Sequence, residues 1–190
     1  MQIDPDNRLL WHFNRRRLSA EEIRDAMLAI SGQFNPNVGG PSVMVPVEQE
    51  LPDLLYKPAQ WKAAADPAEH HRRSIYLIAK RNLRLPFMET FDQPALQTSC
   101  PRRESSTHPP QALEMLNGKL SNELAQALAA RLETEARANP ERMIRRAFEL
   151  AAGRQPTAPE RRLALAFLNE QPLKEFALAL FNLNAFLYVE

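Results

Sequence analysis

Apolar residues recur at helical spacing through most of the second half of the chain. One series with four-residue spacing is Leu120, Leu124, Leu128 and Leu132. Another series is Met143, Ile144, Ala147, Phe148 and Ala151. Such spacing aligns the apolar side chains on one face of a helix. We predict a helix over residues 107–116 and, after an interruption at Asn117-Gly118, a second helix to about residue 138. Three more helices follow, over residues 140–152, over residues 158–169 and from Pro172 onward. The apolar tail after Asn184 is expected to pack.

Short signals mark where several of these helices begin and end. In a capping box, two residues three positions apart bond each other's backbone N–H groups at the start of a helix. The chain carries two such boxes, Ser19 with Glu22 and Thr157 with Glu160. The first predicts a helix over residues 19–31 that Gly32 ends. Asn139-Pro140 begins a further helix, Gly153 ends it, and Thr107 is expected to cap the helix that follows it.

Residues 33–60 lack a helical pattern. Prolines interrupt them too often for a long helix, at Pro36, Pro41, Pro46, Pro52 and Pro58. We predict an irregular segment that wraps the surface, with a short edge strand over residues 43–47 as an alternative. The apolar side chains that would hold it down are Val43, Val45, Val47, Leu51, Leu54 and Leu55.

The segment between this wrap and the helical half has mixed signals. Asp66-Pro67-Ala68-Glu69 is a strong helix start, so we predict a helix to about Arg81. Because its apolar run is short, a buried strand stays open as an alternative. Residues 85–94 then form a connector anchored by Phe87, Met88 and Phe91. An apolar cluster before the first helix, interpreted as a short helix starting near Asp6, comprises Leu9, Leu10, Trp11 and Phe13.

These elements predict a mainly α protein. Residues 105–190 form a helical bundle, and residues 1–104, with mixed helix and an irregular proline-rich wrap, lie on it. Short links between long amphipathic helices are typical of neighbouring, roughly antiparallel packing. At 190 residues the chain is long enough for a sizeable core, and we expect a single domain over residues 1–190.

Composition excludes several classes of function. The net charge is +1 and neither half of the chain is strongly basic, which argues against nucleic-acid binding. No apolar run reaches the roughly 20 residues that a membrane-spanning helix needs. Arg15, Arg16 and Arg17 are followed by several carboxylates, so we expect them to pair within the molecule. The single cysteine excludes an internal disulfide and covalent haem attachment.

The densest group of reactive side chains lies between Cys100 and Gln111. Arg102 and Arg103 come just before a predicted helix start, where a carboxylate, sulfate or phosphate could bind. The candidate ligand-binding residues are therefore Arg102, Arg103, Thr107, His108 and Gln111. A structural alternative is an internal ion pair from Arg103 to Asp92 or Glu104. We assign no catalytic residue, although Cys100 beside His108 raises the hypothesis of a thiol nucleophile.

No cofactor or metal site is predicted. His70 and His71 are adjacent, so on a helix their side chains would diverge by about 100 degrees and not share one metal. No phosphate-binding glycine loop or metalloprotease helix is present. Nothing links the spacing of the histidines to a haem.

The chain also resembles a known family over nearly its whole length. The motifs that carry the resemblance are Asn14-Arg15-Arg16-Arg17-Leu18, Gly39-Gly40-Pro41, Arg72-Arg73-Ser74-Ile75-Tyr76, Phe91-Asp92, Cys100 with Arg103, Pro110-Gln111-Ala112-Leu113, Gly153-Arg154 and the stretch from Asn182 to Val189. Together they are similar to the uncharacterised C-terminal domain of large planctomycete-type proteins that carry an upstream cytochrome-c-like domain. The resemblance implies an exported, multidomain cell-envelope protein and a location in the envelope or periplasm.

We therefore expect a non-catalytic packing or interaction domain. Its partners would be upstream domains of the same polypeptide or an operon partner. The alternative is an anion- or carbohydrate-binding domain, or a hydrolase-like enzyme, with a site at Cys100, Arg102, Arg103 and His108 and an anionic small molecule or carbohydrate as ligand. If the chain is a complete gene product, its lack of a signal core indicates the cytoplasm instead.

Overall fold

A computed structural model describes residue 4 and residues 6–53 and 55–189, and it confirms a mainly α-helical protein. The helices are α1 Ala20–Ser31, α2 Glu50–Asp53, α3 Pro86–Thr90, α4 Pro109–Asn117, α5 Lys119–Ala136, α6 Pro140–Ala152, α7 Ala158–Glu170, α8 Leu173–Phe181 and α9 Asn184–Leu187. Strands β1 Arg16–Arg17 and β2 Tyr188–Val189 form an antiparallel pair. No helix in the described part of the chain is both long and apolar enough to cross a membrane.

Helix α5 lies at the centre of the fold and contacts α1, α6 and α8. Its four-residue series turns inward as predicted, with Leu124, Leu128 and Leu132 almost fully buried. The buried cluster around it also contains Ile23 of α1 and Phe87 of α3. One continuous core therefore includes side chains from both subregions of the chain.

The predicted ends of α1 and α6 and the predicted start of α7 agree with the structure. Both capping boxes are formed, and Asn139 accepts a hydrogen bond from the Arg142 backbone N–H at the start of α6. Gly32 and Gly153 end α1 and α6 in the left-handed region, at φ 76° and 65°. These ends are determined by local hydrogen bonds, which explains why the sequence predicts them.

The C-terminal tail packs against the start of the chain. Strand β2 pairs with β1, with Arg16 opposite Val189, and the Leu18 N–H donates to the Leu187 carbonyl at 2.8 Å. The guanidinium of Arg15 lies 4.4 Å from the centre of the Tyr188 ring. The tail therefore packs, as predicted, and the structure adds that it packs against residues 15–18.

The predicted helix over residues 66–81 is wrong. The structure has two short 3-10 helices there, Pro67–His71 and Ser74–Tyr76. The alternative of a buried strand is not formed either, because the segment makes only isolated bridges, parallel ones from Arg72 to Asn35 and from Leu77 to Val43 and an antiparallel one from Lys80 to Leu83. Long-range hydrogen bonds to α1 use backbone groups that a continuous helix would need, since Asp25 accepts the Ser74 N–H and Arg24 donates to the Arg72 carbonyl.

The wrap over residues 33–60 is mostly irregular, as predicted, apart from α2 and a 3-10 turn at Pro58–Gln60. Val43 and Leu55 are buried, and Val45, Val47 and Leu51 are half-buried. Leu54, also named as an anchor, lies outside the described residues. The edge strand over residues 43–47 is reduced to the bridge at Val43.

Candidate functional site

The predicted site segment separates into a buried part and an exposed part. Ser106 and Gln111 lie against Arg17 and Asp92, and we call these four residues the Arg17 cluster. Cys100, in contrast, lies exposed at the surface together with both arginines that follow it. The segment therefore does not bring its reactive side chains to one place.

Asp92 is the acceptor at the centre of the Arg17 cluster. It follows α3 with φ 65°, and this left-handed conformation turns its carboxylate toward residues 93–108, which we call the linker. Its oxygens accept the Ser106 N–H at 2.9 Å and the Ser106 hydroxyl at 2.7 Å, as well as a guanidinium N–H of Arg17. Burial raises the pKa of the Asp92 carboxyl, but the bonds from Ser106 and Arg17 outweigh it and hold that pKa below its usual range.

Arg17 is the donor of the cluster, and its side chain is only 6% exposed. One terminal nitrogen pairs with Asp92, and the other donates to the Ser106 carbonyl and, at 2.8 Å, to the Gln111 Oε1 atom. Gln111 donates in turn to the Thr90 carbonyl at 3.1 Å. The cluster therefore joins β1, the end of α3, the linker and α4.

The cluster is poorly suited to acid–base catalysis. A general base needs a free lone pair and a pKa near the working pH. The Asp92 carboxylate instead accepts several bonds and has a lowered pKa. What this arrangement does chemically is fix the positions of four chain segments.

Arg103 takes part in a different ion pair from the one predicted. Its guanidinium donates to the Glu21 carboxylate at 2.8 Å, not to Asp92 or Glu104. Burial raises the pKa of the Glu21 carboxyl, and the Arg103 hydrogen bond reverses that effect and leaves the pKa lowered. An internal ion pair of Arg103 is therefore formed, as the structural alternative predicted. Its partner, Glu21 on α1, was not predicted because it lies 82 positions away in the sequence.

Thr107 does not cap α4, which corrects the prediction. His108 occupies the N-cap position without a side-chain cap bond, and Thr107 is exposed with its hydroxyl 3.5 Å from that of Tyr188. Pro109 and Pro110 have no N–H groups, and the Gln111 N–H donates to the His108 carbonyl. This helix start therefore offers few donors to an anion, and the role of these residues in ligand binding stays a prediction.

Cys100 and His108 make separate contacts. The thiol donates to the Arg102 carbonyl at 3.2 Å, and His108 Nε2 lies 3.5 Å from the Gln111 amide nitrogen. His108 Nδ1 is buried, and no described residue hydrogen-bonds to it. Neither contact orients the imidazole toward the thiol, as a nucleophile and base would require.

His70 and His71 contact neighbouring parts of the irregular segment: the His71 carbonyl accepts the Asn35 N–H at 3.0 Å. His70 Nε2 lies 2.8 Å from the Ala64 carbonyl, and burial beside Arg24 lowers the pKa of the His71 imidazole. Among the described residues, no group of three or more histidine, cysteine, aspartate or glutamate side chains is placed to hold a metal ion.

A second feature lies before β1, where the predicted short helix from Asp6 is not formed. Residues 6–14 are irregular apart from short turns at residues 6 and 8–9, and we call them the outward loop. Asn7 is the only buried residue of the outward loop: it is 5% exposed and donates 2.8 Å bonds to the His12 carbonyl and to Asn14 Oδ1, both within the loop. The Asp4 carboxylate accepts the backbone N–H groups of Arg8 and Leu9.

The apolar side chains of the outward loop face solvent. The exposed fractions are 77% for Leu9, 76% for Leu10, 57% for Trp11 and 59% for Phe13. Large apolar residues so close together on an exposed surface are typical of an interaction site. The sequence shows this cluster but not its exposure, because the local hydrogen bonds of Asn7 and Asp4 that shape the loop leave no pattern in the sequence.

The family model for PSD1, described as a protein of unknown function (DUF1553), matches residues 1–168 of the chain. The outward loop and all four members of the Arg17 cluster lie within the matched range. No curated protein and no solved structure shows a significant match.

Proposed function

This chain belongs to the PSD1 family of proteins of unknown function (DUF1553), and from that premise we propose that it is a non-catalytic domain that packs against another domain of a larger cell-envelope protein. The family resemblance supports this proposal because it implies multidomain envelope proteins with an upstream cytochrome-c-like domain. The structure supports it through the exposed apolar side chains of the outward loop and through the Arg17 cluster, whose hydrogen bonds hold chain segments together.

The single observation that carries the proposal is the outward loop. Burial of an exposed leucine, tryptophan or phenylalanine side chain is worth about 1.5–3 kcal/mol. Here Leu9, Leu10, Trp11 and Phe13 are all more than half exposed within five positions. Internal hydrogen bonds of Asn7 and Asp4 hold the loop, so little conformational freedom would be lost on binding.

The proposed occupant of this surface is an apolar face of an upstream domain of the same polypeptide. The outward loop begins at residue 6, so a domain joined to the chain ahead of residue 6 would lie close to the loop. Linkage of the two domains in one chain gives a high effective concentration, which makes even a small apolar contact sufficient for association.

Association between this chain and the separately expressed upstream domain tests the proposal. The variant Leu10→Ser/Trp11→Ser removes the apolar tip, and Leu163→Ser is a matched control because Leu163 on α7 is 69% exposed. We expect micromolar association for the unmodified chain and for the control. The loop variant should bind at least about tenfold more weakly, as expected from the loss of two buried side chains.

Equal binding by the loop variant and the control would contradict the proposal. So would no association of the unmodified chain at about 100 µM. A concentration-dependent dimer of this chain that the loop variant abolishes would show a second copy as the occupant, which contradicts the assigned partner.

The alternative function, ligand binding or hydrolysis around Cys100, Arg102, Arg103 and His108, has less support. Arg103 is already paired with Glu21, and the thiol bonds the Arg102 carbonyl. Calorimetric titration of sulfate and sugar acids into the unmodified chain and into Arg103→Ala discriminates between the two functions. Heats that disappear in the variant would favour the alternative.

A further inference from the structure

A polar cleft lies between α6 and α7, and none of its lining residues belongs to the outward loop or to the Arg17 cluster. Its volume is about 370 Å³, within the range of small-molecule sites. The residues that line it are Glu141, Arg145, Gln155, Pro156, Ala158 and Arg161. They come from two helices and from the loop that joins them.

The two arginines of the cleft have donors available for a ligand. Arg145 is exposed and has no hydrogen-bond or ion-pair partner among the described residues. Arg161 lies 3.4 Å from the Glu141 carboxylate, but both side chains are more than half exposed, so this pair is weak. Neighbouring arginines differ: Arg154 makes two bonds of 2.7 and 2.8 Å to Glu160.

The walls of the cleft are held in place without a ligand. Thr157 and Glu160 form the capping box of α7, and Asn139 caps α6. Gln155 donates to the Glu149 carboxylate, and the Arg154–Glu160 pair holds the loop between the helices. A site supported in this way loses little entropy when a ligand binds.

The cationic, anionic and apolar groups that line the cleft indicate which class of ligand it can bind. A guanidinium binds a carboxylate through two parallel hydrogen bonds. The Glu141 carboxylate accepts hydrogen bonds from hydroxyls but repels ions of high negative charge. Pro156 and Ala158 offer a small apolar surface of the kind that the C–H groups of a sugar ring can contact.

We propose that this cleft binds a sugar acid, a polyhydroxylated molecule with one carboxylate. Arg145 and Arg161 bind the carboxylate, and Glu141 and Gln155 accept hydrogen bonds from the hydroxyls. The site is separate from the outward loop and goes beyond the proposed packing function, so either proposal can fail without the other.

Nuclear magnetic resonance titration of the isotope-labelled chain tests the site, with glucuronate, glucose and sulfate as three separate probes. Arg145→Ala is the test variant. Arg142→Ala is its matched control, because Arg142 is an exposed α6 arginine outside the cleft lining. We expect glucuronate to shift the amide signals of residues 141–161, with at least about tenfold weaker binding in Arg145→Ala and unchanged binding in Arg142→Ala.

Glucose and sulfate should each bind at least about tenfold more weakly than glucuronate, because each lacks one of the two recognition elements. Several results would overturn the proposal. They are no shifts with glucuronate at about 20 mM, shifts around Cys100 and His108 instead of the cleft, equal binding by Arg145→Ala, or equal binding of sulfate.

Discussion

Arg17 and Asp92 form the ion pair of the Arg17 cluster, which holds Ser106 and Gln111 of the second half of the chain against the first half. Their pair is largely shielded from water, with side chains 6% and 17% exposed. Removal of one partner from such a pair leaves the other charge uncompensated, which costs more than the pair itself is worth.

We predict that Asp92→Asn lowers the free energy of unfolding by about 3 kcal/mol. The neutral amide has the same shape but cannot balance the Arg17 charge. Urea denaturation followed by circular dichroism measures the effect. Asp6→Asn is the control, because the Asp6–Arg8 pair is 3.5 Å long and largely exposed, and it should change stability by less than about 0.5 kcal/mol. Equal midpoints for the two variants would contradict this role of Asp92.

Two glutamates make the stability depend on pH. The hydrogen bond from Arg16 lowers the pKa of Glu22 from 4.5 to about 2, and the bond from Arg154 lowers that of Glu160 to about 2. Both carboxyls bind protons more weakly in the folded chain than in the unfolded one. Their stabilising contribution is therefore complete above about pH 5 and is lost as the pH falls toward 2.

We predict that Glu160→Gln flattens this dependence. The free energy of unfolding of the unmodified chain should fall between pH 5 and pH 2, and the variant should lose less over the same interval because it has one fewer carboxyl to protonate. Urea denaturation at several pH values gives both curves. Parallel curves would show that the Arg154–Glu160 bond contributes nothing in solution.

At the scale of elements, the sequence predicts a helix where its ends are determined locally. The bonds at the start of α1 involve Ser19 and Glu22, three residues apart. Residues 66–81 carry an equally strong start signal, and Asp66 does accept the Ala68 N–H. The helix nevertheless fails to continue, because Asp25 and Arg24 bind Ser74 and the Arg72 carbonyl from about 50 residues away. Tertiary bonds of this kind override local propensity.

The glycines that separate helices have different physical roles. Gly153 has φ 65° and open space around it, so only backbone strain opposes a side chain there. Gly118, between α4 and α5, has an ordinary φ of −58°, but a Cβ would overlap the Glu114 carbonyl oxygen.

We predict that asparagine replaces Gly153 more easily than alanine does, since asparagine tolerates the left-handed region. Gly153→Ala should cost about 1 kcal/mol. At Gly118 both substitutions should cost about 2 kcal/mol, because the overlap involves any Cβ. Thermal denaturation of the four variants measures these costs. An advantage of asparagine at Gly118 would show that backbone conformation, and not overlap, determines the choice of glycine there.

For the whole molecule, the sequence predicts the class of fold and the packing of the tail but not the arrangement of the site. Ser106, Asp92 and Arg17 are 14 to 89 positions apart, and their meeting depends on the left-handed turn at Asp92. No periodicity encodes such a turn in a non-glycine residue. The exposure of the apolar side chains in the outward loop is not visible in the sequence either, since the loop is shaped by the bonds of Asn7 to the His12 carbonyl and to Asn14.

In the larger protein, the outward loop is expected to be covered by the upstream domain. Hydrogen–deuterium exchange measures this most directly, by comparing this chain alone with this chain joined to its upstream domain. We expect at least about tenfold slower exchange of backbone amides in residues 6–14 of the joined protein, with no change in residues 153–157. Unchanged exchange in residues 6–14 would contradict it.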